Sequence, residues 1–280
     1  MKKTKTPEPE YVPSLINNPM LNYKCYHASA GEKILYFLIS FIAGGAASLI
    51  FFGGLFKSDG EATLATLISN LVFFLVSGFA VSRVLYPSFI AKRKEKRDVK
   101  LRNQFRDLLD SLSASFSAGV NSNEAFVSVC ADMEQQHGVD SFIAIEAREI
   151  VNGMKQNYSI SQMLRNFAAR SGNEDIENFA NVYGIAIEKG SDLKTVIRRT
   201  HAIISDRIAV EDEIETKLAS NKLQHTVMSI MPIGIVAILR FTNESFADSF
   251  TTPGGIIVNV IAIAAFIGSF ILGQKICDVK

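Results

Sequence analysis

Residues 34–56, ILYFLISFIAGGAASLIFFGGLF, contain no charged side chain over about 23 positions. A helix of that length covers the roughly 30 Å hydrocarbon core of a bilayer. Lipid offers the backbone no hydrogen-bond partners, so such a stretch must fold as helix. A second apolar stretch, residues 64–86, is interrupted only near its end by Arg83, whose long side chain can reach the interface. The polar turn KSDGEAT separates the two, which predicts a helical hairpin. A third stretch, residues 226–241, is shorter and holds Pro232 and Arg240. Proline within a span is tolerated where neighbours satisfy the freed carbonyl, and a kink is expected there. Residues 255–273 form the fourth. The sequence therefore predicts an integral membrane protein with four transmembrane helices, paired as hairpins over 34–90 and 223–280.

Charge sets the orientation. Lys92, Arg93, Lys94, Lys96 and Arg97 come directly after the second apolar stretch. A basic run in that position marks the cytoplasmic membrane boundary rather than a nucleic-acid grip. The net charge of +1 gives the chain no general attraction to polyanions. Lys2, Lys3, Lys5, Lys24, Lys275 and Lys280 fall on the same face, whereas the opposite turns hold only Lys57. Both termini and the middle of the chain are thus expected in the cytoplasm, with Arg240 as the one dissenting charge. Residues 1–33 read as a polar, proline-bearing, mobile cytoplasmic tail without the apolar run of a cleavable signal.

Between the hairpins, residues 91–222 have a different composition. Leu101, Phe105, Leu108, Leu109, Leu112 and Phe116 recur every three or four residues, one apolar face of a helix. The same period links Ile143, Ala147, Ile150, Val151 and Met154; then Ile176, Phe179, Ala180, Tyr183, Gly184 and Ile187; then Leu193, Val196, Ile197, Thr200 and Ile204. Gly119, the pair Gly172–Asn173, and Gly190 with Asp192 carry the chemistry of helix ends. Ser159 with Gln162 fits a capping box. Short turns favour antiparallel neighbours, so an all-α, six-helix antiparallel bundle is expected, its last helix running on toward the third apolar stretch.

Recognisable chemistry is absent. Cys25, Cys130 and Cys277 are scattered, and the four histidines lack metal-ligand spacing, so neither a disulfide framework nor a metal site is expected. The spacing of a phosphate-binding loop is missing, as are HExxH and GxSxG, and the apolar stretches contain no Asp or Glu. No catalytic residue, cofactor or enzymatic activity is expected. The acidic run VEDEIET could bind a cation, but charge runs of this kind read first as a solvated helix face or a face for a basic partner. The pairs Gly44–Ser48 and Ala264–Gly268 permit close helix contact, and Asn70 and Asn259 call for partners inside the membrane, which suits interhelical packing and oligomers.

The segment SISQMLRNFAARSGNEDIENFANVYGIAIEKGSDLKTVIRRTHAIISDRI, beginning at Ser159, resembles the type II secretion system F domain. So does DLLDSLSASFSAGVNSNEAF, beginning at Asp107, in which Gly119 takes the turn between the first two helices. The resemblance runs from about Leu101 to the C-terminus. The layout, two spans, one F domain, two spans, is similar to TadB-like platform proteins of tight-adherence (Flp-type) pilus and type IV pilus-like machines. PilC and GspF relatives carry two F domains, whereas this chain shows no internal repeat. The polar N-terminus departs from the shortest members. The resemblance implies a non-catalytic platform in the inner membrane that couples a cytoplasmic secretion ATPase to insertion of pilin subunits, beside a TadC-like second platform protein. Arg198, Arg199, Arg207, Glu211 and Asp212 are the candidate partner contacts. A transporter permease subunit and a membrane-anchored signalling protein are the alternatives. The first requires polar groups along a central path, and the second a ligand-binding or catalytic domain.

Overall fold

The computed structural model describes residues 9–53, 63–190, 192–250 and 252–277. Lys2, Lys3, Lys5, Lys57 and Lys280, and with them most of the turn between the first two apolar stretches, lie outside the described residues. Apart from a short antiparallel pair, β1 (Tyr11–Pro13) and β2 (Pro19–Leu21), the regular elements of the described residues are helices. The helices are α1 (Ala30–Phe52), α2 (Leu64–Ser117), α3 (Ser122–His137), α4 (Phe142–Lys155), α5 (Ile160–Ser171), α6 (Glu174–Lys189), α7 (Leu193–Thr242), α8 (Glu244–Ser249) and α9 (Pro253–Cys277). The all-α class read from the sequence holds. The chain divides into two compact units, Met1–His27 with Ile90–Glu211, and Ala28–Phe89 with Asp212–Lys280.

The first unit is built on an apolar core to which every one of its helices contributes. Phe105, Leu109 and Leu112 of α2 meet Phe126 and Val129 of α3, Ile143 and Ala147 of α4, Leu164 and Phe167 of α5, Phe179 and Tyr183 of α6, and Ile197 and Ile204 of α7. Four aromatic rings tie the centre together. Phe105 stands 5.6 Å from Phe179, and Tyr183 lies 5.9 Å from Phe179 and 6.0 Å from Phe126, mostly edge-on, as ring quadrupoles favour. The helical faces obey the sequence period with one correction. Ile187 is exposed and Ala186 is buried in its place, because the α6 stripe drifts as it passes Tyr183 and Gly184. Helix ends are set by side chains. Asn121, Ser141 and Asn173 accept the first free amides of α3, α4 and α6. Ser159 and Gln162 close a capping box on α5.

The N-terminal segment is the larger correction. Within the expected mobile tail, residues 9–27 pack on the helices of the first unit, with Tyr23 1% exposed in its core. Its neighbours are Phe142 at 5.8 Å and Phe167 at 6.4 Å, both edge-on.

In the second unit, α1 and α2 are long and apolar enough to cross a membrane. The later apolar stretches, Thr226–Thr242 and Pro253–Ala265, are shorter. Pro232 does not end its helix, since α7 continues through it to Thr242. Helices α1 and α2 approach closely at small residues. A Cβ on Gly44 would lie 2.7 Å from Val81, and one on Gly78 would lie 2.8 Å from the Phe41 carbonyl. Ser77 donates to the Gly44 carbonyl at 3.0 Å, and Ser48 to that of Phe73 at 3.2 Å. Ala264 and Gly268 do not repeat this. Ala264 is exposed, and nothing among the described residues lies within 4 Å of a Cβ on Gly268.

Candidate functional site

The basic cluster lies on α2, and its members have different fates. Lys92, Arg93 and Lys96 are exposed, while Lys94 pairs with Asp98 one turn on at 2.6 Å. Arg97 turns inward. It donates to the carbonyls of Tyr23 at 2.8 Å and Cys25 at 2.7 Å, and its guanidinium lies over the rings of Tyr23 and Tyr26. One residue of the charge run is therefore a clamp on the N-terminal segment.

The helix-end residues occupy turns. Gly119 has φ 80° after α2. Gly172 caps α5 in the left-handed region, and Lys24 of the N-terminal segment sits against it. Asn173 accepts from the amides of Asp175 at 2.8 Å and Ile176 at 3.3 Å. Gly190 caps α6 with φ 64°, and its amide returns to the carbonyls of Ala186 and Ile187. Asp192 accepts from the Lys194 amide at 3.0 Å and the Thr195 hydroxyl at 2.6 Å. The Thr195 hydrogen bond is the main reason its carboxyl is held below the usual range.

The charged residues of α7 divide similarly. Arg198 and Arg199 are exposed, and neither has an ion pair among the described residues. Arg207 reaches the buried Asp175 of α6 at 2.7 Å. Glu211 receives both arms of Arg102 from α2, one at 2.9 Å. Asp212 is exposed, and its backbone carbonyl accepts from Thr216. Arg207 and Glu211 thus fasten α7 to α6 and α2, which leaves Arg198, Arg199 and Asp212 as the outward charges of this set.

A buried polar anchor escaped the sequence reading. On α4, Glu146 and Glu149 are 1% and 5% exposed. Glu146 takes both arms of Arg170 from α5, at 2.8 and 2.7 Å. Burial pushes the Glu146 carboxyl up, against the pull of Arg170. Burial also works against the Arg170 charge, yet the hydrogen bonds and charge of Glu146 hold it above the usual arginine range. Arg170 donates further to the Leu21 carbonyl at 3.2 Å, and its own carbonyl accepts the Tyr23 amide at 3.0 Å. Burial, then the charge of Glu146 and a hydrogen bond to it, push the Tyr23 phenol far up. Glu149 accepts from Ser14 at 2.5 Å and Asn18 at 2.9 Å. The only local signal was a pair of acids three residues apart beside an apolar stripe, a pattern that solvent-facing helices share.

In the second unit, Arg240 donates to the carbonyls of Ile50 and Gly53, and Asn259 to that of Phe51 at 2.7 Å. These carbonyls lie at the C-terminus of α1, where no intrahelical donor remains and the helix dipole favours a cation. Arg240 is therefore a cap for another helix, which accounts for its standing apart from the charge asymmetry.

Among the described residues no group of three or more His, Cys, Asp or Glu could hold a metal. The geometry presents a compact helical body continuous with apolar helices. Comparison with known families gives that body a place. Residues 108–240 match the family of type II secretion system (T2SS) protein F. No curated protein and no solved structure matches the chain. The protein F region takes in the end of α2, all of α3–α6 and nearly all of α7. It is narrower than the resemblance read from the sequence, which ran to the C-terminus. It contains Glu146, Glu149 and Arg170 but neither the N-terminal segment nor Arg97.

Proposed function

We propose that this chain is a non-catalytic membrane platform of a secretion or pilus machine, of the TadB-like kind. In this reading α1, α2, the third apolar stretch and α9 lie in the inner membrane, and both termini and the helical unit face the cytoplasm. The unit receives the stroke of a secretion ATPase and passes it to the membrane helices that present pilin subunits, alongside a TadC-like partner. Carrying the reading is the protein F match over residues 108–240, on a unit that α2 and α7 join to apolar helices without a break. A helix bonded along its whole length transmits displacement that a loop would absorb. The outward Arg198, Arg199 and Asp212 are the proposed partner contacts. Deleting the gene should abolish surface filaments while pilin synthesis and prepilin cleavage continue, and the purified chain should neither bind nor hydrolyse ATP. Normal filaments in a deletion strain without a paralogue would falsify the platform role, and ATP hydrolysis by the purified chain would sink the non-catalytic one.

A further inference from the structure

The N-terminal segment lies outside the protein F region, yet it is joined to that region more firmly than its length requires. Its two strands have three residues each, too few to be stable alone in water. Its conformation is imposed by the helices beneath. Much of the imposing contact is polar and directional. Ser14 and Asn18 converge on Glu149, the Leu21 carbonyl and Tyr23 amide meet Arg170, and Arg97 holds the carbonyls of Tyr23 and Cys25. An apolar patch would hold such a segment at lower desolvation cost but would let it slide, whereas buried hydrogen bonds set one register. Three separate helices, α2, α4 and α5, supply the partners.

Beyond the anchor the chain has little freedom before the first apolar helix. Arg97 holds the Cys25 carbonyl and covers the Tyr26 ring, and α1 begins at Ala30 with Ser29 as its cap and Glu32 closing the capping box. Residues 27–29 are the slack, and an extended chain gains at most about 3.6 Å per residue. Polar residues near Glu149 and a clamp at Arg97 would be unnecessary if the segment only covered a core face. They make sense if the segment is pulled.

We propose that residues 10–27 are a strap that ties the start of α1 to the α2–α4–α5 face, so that displacement of the helical unit is delivered to α1 as well as along α2 and α7. This rests on the platform reading and adds to it a third line of transmission. Releasing the strap, or lengthening the slack beyond it, removes that line by two independent routes.

The test uses the full-length protein in its own membrane. A flexible Gly-Ser insert of about twelve residues between His27 and Ala28 lengthens the slack and leaves the anchor intact. The double variant Arg97→Met/Tyr23→Ala releases the anchor at the end that bears on α1. Filament output is counted, and hydrogen exchange over residues 10–27 reports docking. The insert should lower output at least about tenfold while residues 10–27 keep wild-type protection. The double variant should lose protection and lower output by a similar factor. Combining them should cause no further loss, since both interrupt one line. Wild-type output from the insert strain overturns the strap, as do multiplying defects in the combined strain. Loss of strap protection in the insert strain also overturns it, because an anchor held by its own side chains is indifferent to slack beyond Tyr26. A deletion strain with normal filaments defeats the platform reading itself, and with it the strap. A bare deletion strain with a fully active insert strain defeats the strap alone.

Discussion

At Leu109 and Asp110, neighbours on α2, the helix period separates two environments. Leu109 is fully buried in the core, and the Asp110 side chain is 76% exposed beside His201. Leu109→Ala should cost about 2–5 kcal/mol, the transfer term plus a cavity. Asp110→Ala should shift stability by no more than about 0.5 kcal/mol. Thermal unfolding of the purified full chain in detergent separates the two, and equal shifts would show that the helix phase is wrong. The Glu146–Arg170 pair obeys another rule. Two buried charges held by two hydrogen bonds offset each other's desolvation, so removing one strands the other. Arg170→Met should cost about 3–5 kcal/mol and free the N-terminal segment, read as a lower melting point and faster exchange over residues 10–27. Replacing both, Glu146→Leu with Arg170→Met, should recover much of the stability. A double variant no better than Arg170→Met would show that the pair is not the source of the loss.

Among the elements, α2 and α7 are the unusual pieces, with 54 and 50 residues. Each is apolar throughout one part and amphipathic in the other, so one continuous hydrogen-bonded rod belongs to both compact units. The turn before α7 directs it. Gly190 has φ 64°, a left-handed conformation that other residues adopt at a cost of about 1–2 kcal/mol. Among the described residues nothing lies within 4 Å of a Cβ placed there, so the cost expected for Gly190→Ala is backbone strain. That substitution should lower stability by about 1–2 kcal/mol in the same melting experiment. Gly153→Ala should act differently, because its Cβ would collide with the Met163 side chain. Met163→Ala opens a cavity of its own, so it should cost its full amount in the Gly190→Ala background and markedly less in the Gly153→Ala background, where it also removes the collision.

For the complete chain, the platform reading predicts a topology. A cysteine introduced at Ser249, in α8, should react with a membrane-impermeant maleimide added to intact cells. One at Ser122, at the start of α3, should react only after the cells are opened. Labelling of Ser122 from outside would reverse the charge-based orientation and remove the helical unit from any cytoplasmic motor.

The all-α class, most of the buried helix faces and the caps at Ser159, Asn173 and Gly190 were already written in the order of the amino acids, whereas the start of α1 at Ala30 and the outward turn of Ile187 were not. The legible features are local properties. A 3.6-residue period, a capping oxygen and a glycine with positive φ act within a turn or two of themselves, so Leu109, Ser159, Asn173 and Gly190 could be read without their distant neighbours. The protein F resemblance was legible for the same reason, since it lies in the succession of such signals. The fates of Ser14, Asn18, Tyr23, Arg97 and Arg240 emerged only from the folded chain. Ser14 meets Glu149 across 135 residues, and Arg240 meets Ile50 across 190. A polar residue on a tail and an arginine in an apolar helix look unsatisfied in one dimension. Whether they remain so depends on which chain segment arrives beside them, and folding settles that through the packing of the whole core rather than the preference of any short stretch.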